Sequence, residues 1–81
     1  MTKAHRVPSD YCFLVYASHF WGKGRSEQDA IRQVQLAGGK RALRATGYLL
    51  YRVHPSTVID DLGSFTHPRG HNPIKVGDRL K

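Results

Sequence analysis

Apolar and polar positions divide this chain into a short series of segments. Tyr11-Cys12-Phe13-Leu14-Val15-Tyr16-Ala17 is an unbroken run of apolar, aromatic and β-branched residues. It is too short for a helix with these side chains and reads as a strand. Because both of its faces are apolar, one is expected under a helix and the other under a second copy, a partner or the tail. Phe20 and Trp21 prolong the run toward Gly22-Lys23-Gly24-Arg25, which reads as a turn. Ser26 is then a helix N-cap, with Asp29 at the capping-box position and Glu27 and Asp29 placing negative charge in the first turn. Ala30, Ile31, Val34 and Ala37 recur at spacings of three and four and predict the buried stripe, while Gln28, Arg32 and Gln35 face water. Gly38-Gly39 ends the helix.

Lys40 to Gly47 is a basic loop or a short extra turn of helix. Tyr48 to His54 predicts the second strand, with Leu49, Tyr51 and Val53 on one face and Tyr48, Leu50, Arg52 and His54 on the other. Pro55-Ser56 turns the chain. Thr57–Ile59 and Leu62–Thr66 predict a third strand, interrupted at Asp60-Asp61 by a bulge or a small hairpin. His67 to Pro73 holds too many breakers to be regular, and Ile74-Lys75-Val76 is a short last strand before a charged tail. The order is β-α-β-β with a weak fourth strand. That pattern predicts an α+β fold: a small, mostly antiparallel sheet of three to four strands with one helix on one face. Residues 1–10 form a flexible arm and residues 11–81 a single domain.

Composition narrows the function classes. With 81 residues and 40% of them apolar, the chain supports one core and little room for a deep pocket. A single cysteine, Cys12, excludes an internal disulfide and a cysteine-rich zinc cage, and its place in the first strand makes it a small buried hydrophobe. No apolar stretch approaches the ~18 residues of a membrane span, and no convincing signal-peptide cleavage site follows the N-terminus. The cytoplasm is the expected location, and no cofactor is implied.

Charge points further. The formal net charge is +7, which fits an anionic partner: nucleic acid, an acidic protein face or a nucleoprotein complex. Lys23, Arg25, Arg32, Lys40, Arg41, Arg44 and Arg52 fall between residues 23 and 52 against only Glu27 and Asp29. With Trp21 and Tyr48 near the same edge, they form a candidate nucleic-acid surface, cations for phosphates and an aromatic for a base. The plainer reading is a solvated face in which Lys40, Arg41 and Arg44 suit the dipole at a helix C-terminus. Gly22-Lys23-Gly24-Arg25-Ser26 admits two readings as well. It is a strand-to-helix turn needing glycines for positive φ, or a phosphate cradle at a helix N-terminus. It lacks the spacing of a P-loop.

The remaining candidates carry less. His67 and His71 stand four apart, but Pro68 and Gly70 forbid the helix that would align them on a metal with His54. The same three histidines are the acid–base candidates for an RNA-cleaving enzyme. Asp60 and Asp61, adjacent on a strand, point to opposite faces and cannot work as a carboxylate pair.

Two resemblances follow from these residues. The strand Tyr11–Ala17, the Trp21-Gly22-Lys23-Gly24 turn, the helix from Ser26 through Ala30 and Ile31, and the strand Tyr48–Val53 resemble small phage- or mobile-element-encoded proteins of β-α-β-β type. That group includes some anti-CRISPR proteins and some inhibitors of host RNA polymerase, and the resemblance covers roughly residues 11–66. It implies a non-enzymatic protein that blocks a host nucleic-acid-handling complex by occupying its working surface. It also implies a binding face of Trp21, Lys23, Arg25, Lys40, Arg41 and Arg44. The second resemblance is to the HicA-type mRNA interferases, through Leu43-Arg44-Ala45-Thr46-Gly47-Tyr48, Gly63-Ser64-Phe65 and His67-Pro68. There the family's catalytic histidine is Phe65 in this chain. Three functions are therefore in view: an inhibitor of a nucleoprotein machine, a direct DNA or RNA binder (with a homodimer possible), and a small ribonuclease.

Overall fold

A computed structural model of the chain describes residues 7–60 and 62–81. The arm predicted for residues 1–10 is described only from Val7 onward, and Asp61 lies outside the described residues. Eight elements follow in order: β1 (Cys12–Ala17), β2 (Phe20–Gly24), α1 (Glu27–Leu36), α2 (Lys40–Thr46), β3 (Gly47–Val53), β4 (Val58–Ile59), β5 (Phe65–Thr66) and β6 (Ile74–Leu80). The fold is α+β. Its main sheet is antiparallel, in the order β2-β1-β3-β6, and β4 and β5 form a second, two-stranded sheet.

The predicted element order needs two corrections, and both have a physical cause. Residues 20–24 are a strand. A two-residue loop, Ser18-His19, folds them back on β1, with Ala17 opposite Phe20 and Phe13 opposite Gly24. Ser18 holds φ at 58°, in the left-handed region that the first position of such a loop favours and that glycine normally supplies. Gly22 and Gly24 are not turn residues with positive φ. A Cβ on Gly22 would lie 2.4 Å from the Ala30 carbonyl oxygen and 2.7 Å from Val34 N, and one on Gly24 would lie 2.7 Å from the Asp29 Cβ. Helix α1 therefore rests on bare strand backbone. The second correction is at residues 40–46, where the short extra turn is a full helix on the same face of the sheet, since Ala42 and Leu43 pack on the core that α1 covers.

Local signals around α1 hold. Ser26 Oγ accepts from the Asp29 backbone N–H at 3.1 Å. At the other end Gly39 N–H donates to Val34 O and Gly38 N–H to Gln35 O, the Schellman pattern, with Gly38 at φ 99°. Ala37 is the C-cap and is exposed rather than part of the buried stripe. Gly47 joins α2 to β3 at φ 79°, where a side chain would strike the Arg79 carbonyl oxygen.

Alternation along β1 and β3 then separates two cores. Toward the helices lie Val15, Ala17, Ala30, Val34 and Leu50, flanked by Phe13, Phe20 and Ile31. On the opposite face lie Leu14, Val53 and Ile59, flanked by Trp21, Tyr51 and Phe65. The second apolar face of β1 is thus covered by the chain's own β4–β5 hairpin. Cys12 belongs to this face but is only half-buried; its Sγ donates to Val53 O at 3.6 Å, and burial raises the thiol pKa. The last strand runs from Ile74 through Leu80, so the expected charged tail is sheet. Leu50 pairs with Gly77 and Tyr51 with Lys75, leaving Val76 as a bulge. Among the described residues no helix is long and apolar enough to cross a membrane.

The α1–β2 contact makes a direct prediction. Gly22→Ala should destabilise the fold by about 2–3 kcal/mol, since neither helix nor strand backbone can move aside cheaply. Gly77→Ala meets only the far end of the Arg79 side chain, at 3.0 Å, and should change stability by no more than about 0.5 kcal/mol. Urea unfolding of the two variants makes the comparison.

Candidate anion-binding surface

The eight residues proposed from sequence do not form one site. Lys23 is opposite Leu14, on the face covered by the β4–β5 hairpin. Its Nζ donates to the Pro55 carbonyl and, at 2.9 Å, to Thr57 O. It fastens the loop before β4 to the sheet. Arg52 is internal too: its guanidinium lies 4.1 Å from the centre of the Phe13 ring, and Nη2 donates to Tyr11 O at 2.8 Å. Trp21 is half-buried in the second core, on the other side of the sheet from the helices. Arg25 is exposed just ahead of α1, and Arg32 is exposed on it, 4.0 Å from the Asp29 carboxylate.

Lys40, Arg41 and Arg44 remain together. The sequence of α2 explains why: Ala42 and Leu43 turn inward and the three cations turn out, all exposed. They line one open groove with His19 and Phe20 from the tip of the β1–β2 hairpin. Among the described residues no carboxylate forms an ion pair with any of the three. The two acidic residues of the helical layer are used at the start of α1. Glu27 accepts from Tyr48 Oη at 2.5 Å and lies 3.8 Å from Arg79 Nε, while Asp29 faces Arg32.

The dipole explanation for this charge also changes once α2 is a helix. Lys40 and Arg41 open α2, which has no acidic residue in its first turn and no side-chain cap. Positive charge there opposes the helix dipole and costs stability, on the order of a few tenths of a kcal/mol per charge. Only Arg44, in the last turn, suits it. The arrangement is therefore one that folding alone does not favour.

His19 and Phe20 were not among the proposed site residues. The Phe20 ring lies 4.2 Å from the His19 ring with 33° between their planes, and Ser18 Oγ is 3.3 Å from His19 Nδ1. The one signal in the sequence was their place in and just after a two-residue loop, which the glycines that follow disguised.

The histidine candidates divide differently. His54 and His71 come together with ring centres 4.4 Å apart, Tyr11 beside both, and Asp10 3.6 Å from His54 Nε2. Ser56 N–H donates to His54 Nδ1 at 3.1 Å, which fixes the neutral ring's proton on Nε2, toward Asp10. His67 stands apart, its Nδ1 buried without a hydrogen-bond partner among the described residues. No group of three His, Cys, Asp or Glu side chains among the described residues is placed to hold a metal ion. Phe65, at the position of the interferase histidine, packs edge-on against Tyr16 and Tyr51 in the second core. Asp60 takes a turn role, its carboxylate accepting from Leu62 N–H and Ser64 N–H.

Comparison with protein-family models, with curated proteins and with solved structures returned no match, so the surface stands on its own geometry.

Two predictions separate structural from available charge. Lys23→Met should cost about 1–2 kcal/mol of stability through two lost charge-assisted bonds, whereas Lys40→Gln and Arg41→Gln should each stay within about 0.5 kcal/mol; thermal unfolding reads both. The second concerns Tyr48, whose pKa is raised above its ordinary value of 10.0 by burial and then by the bond to Glu27. The folded chain holds this proton more tightly than the unfolded one. The contact's contribution is full below the ordinary tyrosine pKa and is lost as pH rises through the raised folded value. Wild-type stability should thus fall more steeply in that alkaline range than that of Tyr48→Phe, as measured by urea titration at each pH.

Proposed function

We propose that this chain is a non-enzymatic binding module whose α2 groove engages the phosphate backbone of a nucleic acid, free or held in a nucleoprotein complex. The observation that carries this is the set Lys40, Arg41 and Arg44: exposed, gathered on one short helix, without an ion-pair partner among the described residues, and lining a groove with two aromatic rings. Cations spaced along a surface neutralise successive phosphates and release counterions, and that release supplies most sequence-independent affinity. Arg25 and Arg32 extend the positive field along the helical face. Lys23 and Arg52 take no part, being bonded within the fold.

A second reading has its own support. Beside the basic groove, at the β2 edge of the sheet, lies another, lined by Phe20, Gln33 and the strongly exposed Leu36. An apolar shelf next to a cationic helix suits the surface of a nucleic-acid-handling machine, which offers protein and phosphate together. Under that reading the chain inhibits or modulates such a complex by covering its working surface.

The test is an anisotropy titration of single-stranded RNA and a DNA duplex at about 50 and 200 mM salt. Wild type should bind with a steep salt slope. The triple variant K40Q/R41Q/R44Q should fold normally, lose roughly tenfold or more in affinity, and show a log–log salt slope shallower by about two for the single strand. Equal binding by the triple variant would overturn the reading. A protein-directed inhibitor would instead show weak nucleic-acid binding and lose partner binding with Leu36→Glu.

A further inference from the structure

We infer that the tip of the β1–β2 hairpin is a base-stacking platform, and that the nucleic acid this surface prefers is single-stranded. The inference rests on the phosphate-binding reading of α2 and adds the part of the ligand that meets the hairpin.

Three observations carry it. First, His19 is exposed and ordered in place: one face of its ring lies against Phe20, and its Nδ1 is beside Ser18 Oγ. Being exposed, the ring still offers surface to a ligand. Second, the loop that presents it is held in a costly conformation. Ser18 is the only non-glycine among the described residues with positive φ, in a position glycine would fill without strain. Third, His19 and Phe20 share their groove with Lys40, Arg41 and Arg44. Phosphates seated on α2 would bring the attached bases to the hairpin tip.

Geometry then selects the ligand class. In a duplex the base faces are buried in the stack and only their edges are offered, so an aromatic ring face has nothing to stack on. A single strand offers the faces themselves, and cations tracking a backbone beside aromatic rings is the usual arrangement for binding it. Helix α2 has seven residues, a rise of about 10 Å, and lies against the sheet by Ala42 and Leu43. It is a ledge for a backbone rather than a probe for a major groove.

The experiment uses the full chain, a labelled short oligouridine RNA and a mixed-sequence DNA duplex, with wild type, His19→Ala, His19→Phe and His19→Lys. Wild type should bind the RNA more tightly than the duplex. His19→Ala should lose roughly fivefold to tenfold for RNA and almost nothing for the duplex. His19→Phe should restore RNA binding, and His19→Lys should not. Since His19 is exposed, thermal unfolding should be the same for all four proteins. Rescue by Lys but not Phe would make the contact one of charge and overturn the platform. Equal RNA binding by His19→Ala, or equal affinity for RNA and duplex, would do the same while leaving the α2 reading intact. Failure of K40Q/R41Q/R44Q to weaken either ligand would remove the α2 reading itself, and this inference with it.

Discussion

The structure depends on one close approach: the backbone of α1 lying on the backbone of β2 at Gly22 and Gly24. With no side chain at these two positions, the helix sinks far enough for Ala30 and Val34 to be fully buried against Val15 and Ala17. That depth fixes the rest of the helical layer. The Schellman turn at Gly38-Gly39 begins from it, Gly39 itself packs tightly between Val34 and Phe20, and α2 starts at the next residue. The three cations of the groove, and the hairpin tip facing them, are therefore placed by a contact that involves neither.

The other face of the sheet is organised by polar bonds as much as by packing. Lys23 reaches across to the carbonyls of Pro55 and Thr57, so the short segment before β4 is held where Ile59 can cover Leu14 and Val53. Arg52 performs a comparable task at the sheet's end, stacking on Phe13 and binding the Tyr11 carbonyl. A chain with a formal net charge of +7 thus spends part of its charge inside its own fold. Among the described residues, its exposed cations gather most densely on α2.

How much of this could be seen in the sequence depends on how local each cause is. The cap at Ser26, the acidic first turn and the glycine stop of α1 are written within a few residues of where they act, and they were legible. So were β1, β3 and the α+β class, because runs of aromatic and β-branched residues carry their own signal. Gly22 and Gly24 misled for a physical reason. Glycine marks a turn when its cause is backbone torsion, but here the cause is a helix packing from above, and no local pattern distinguishes the two. Lys23 and Arg52 were placed in the binding surface because a cation looks the same whether it meets water or a carbonyl distant in the chain. Lys40, Arg41 and Arg44 could be singled out from charge density, and they lie exposed together on α2. Their companions His19 and Phe20 could not, since only the hairpin brings them to α2.

The bulge at Val76 has a consequence for how these molecules meet one another. β6 is an outer strand, and a straight outer strand invites another chain to continue the sheet. Here the extra residue breaks the regular spacing of the free backbone groups, and Lys75 and Asp78 form a 2.9 Å pair along the same strand. A second molecule arriving at this rim would find an uneven row of donors and acceptors and would have to displace a local ion pair to use it. The rim is thus protected against growth of this edge into a larger sheet.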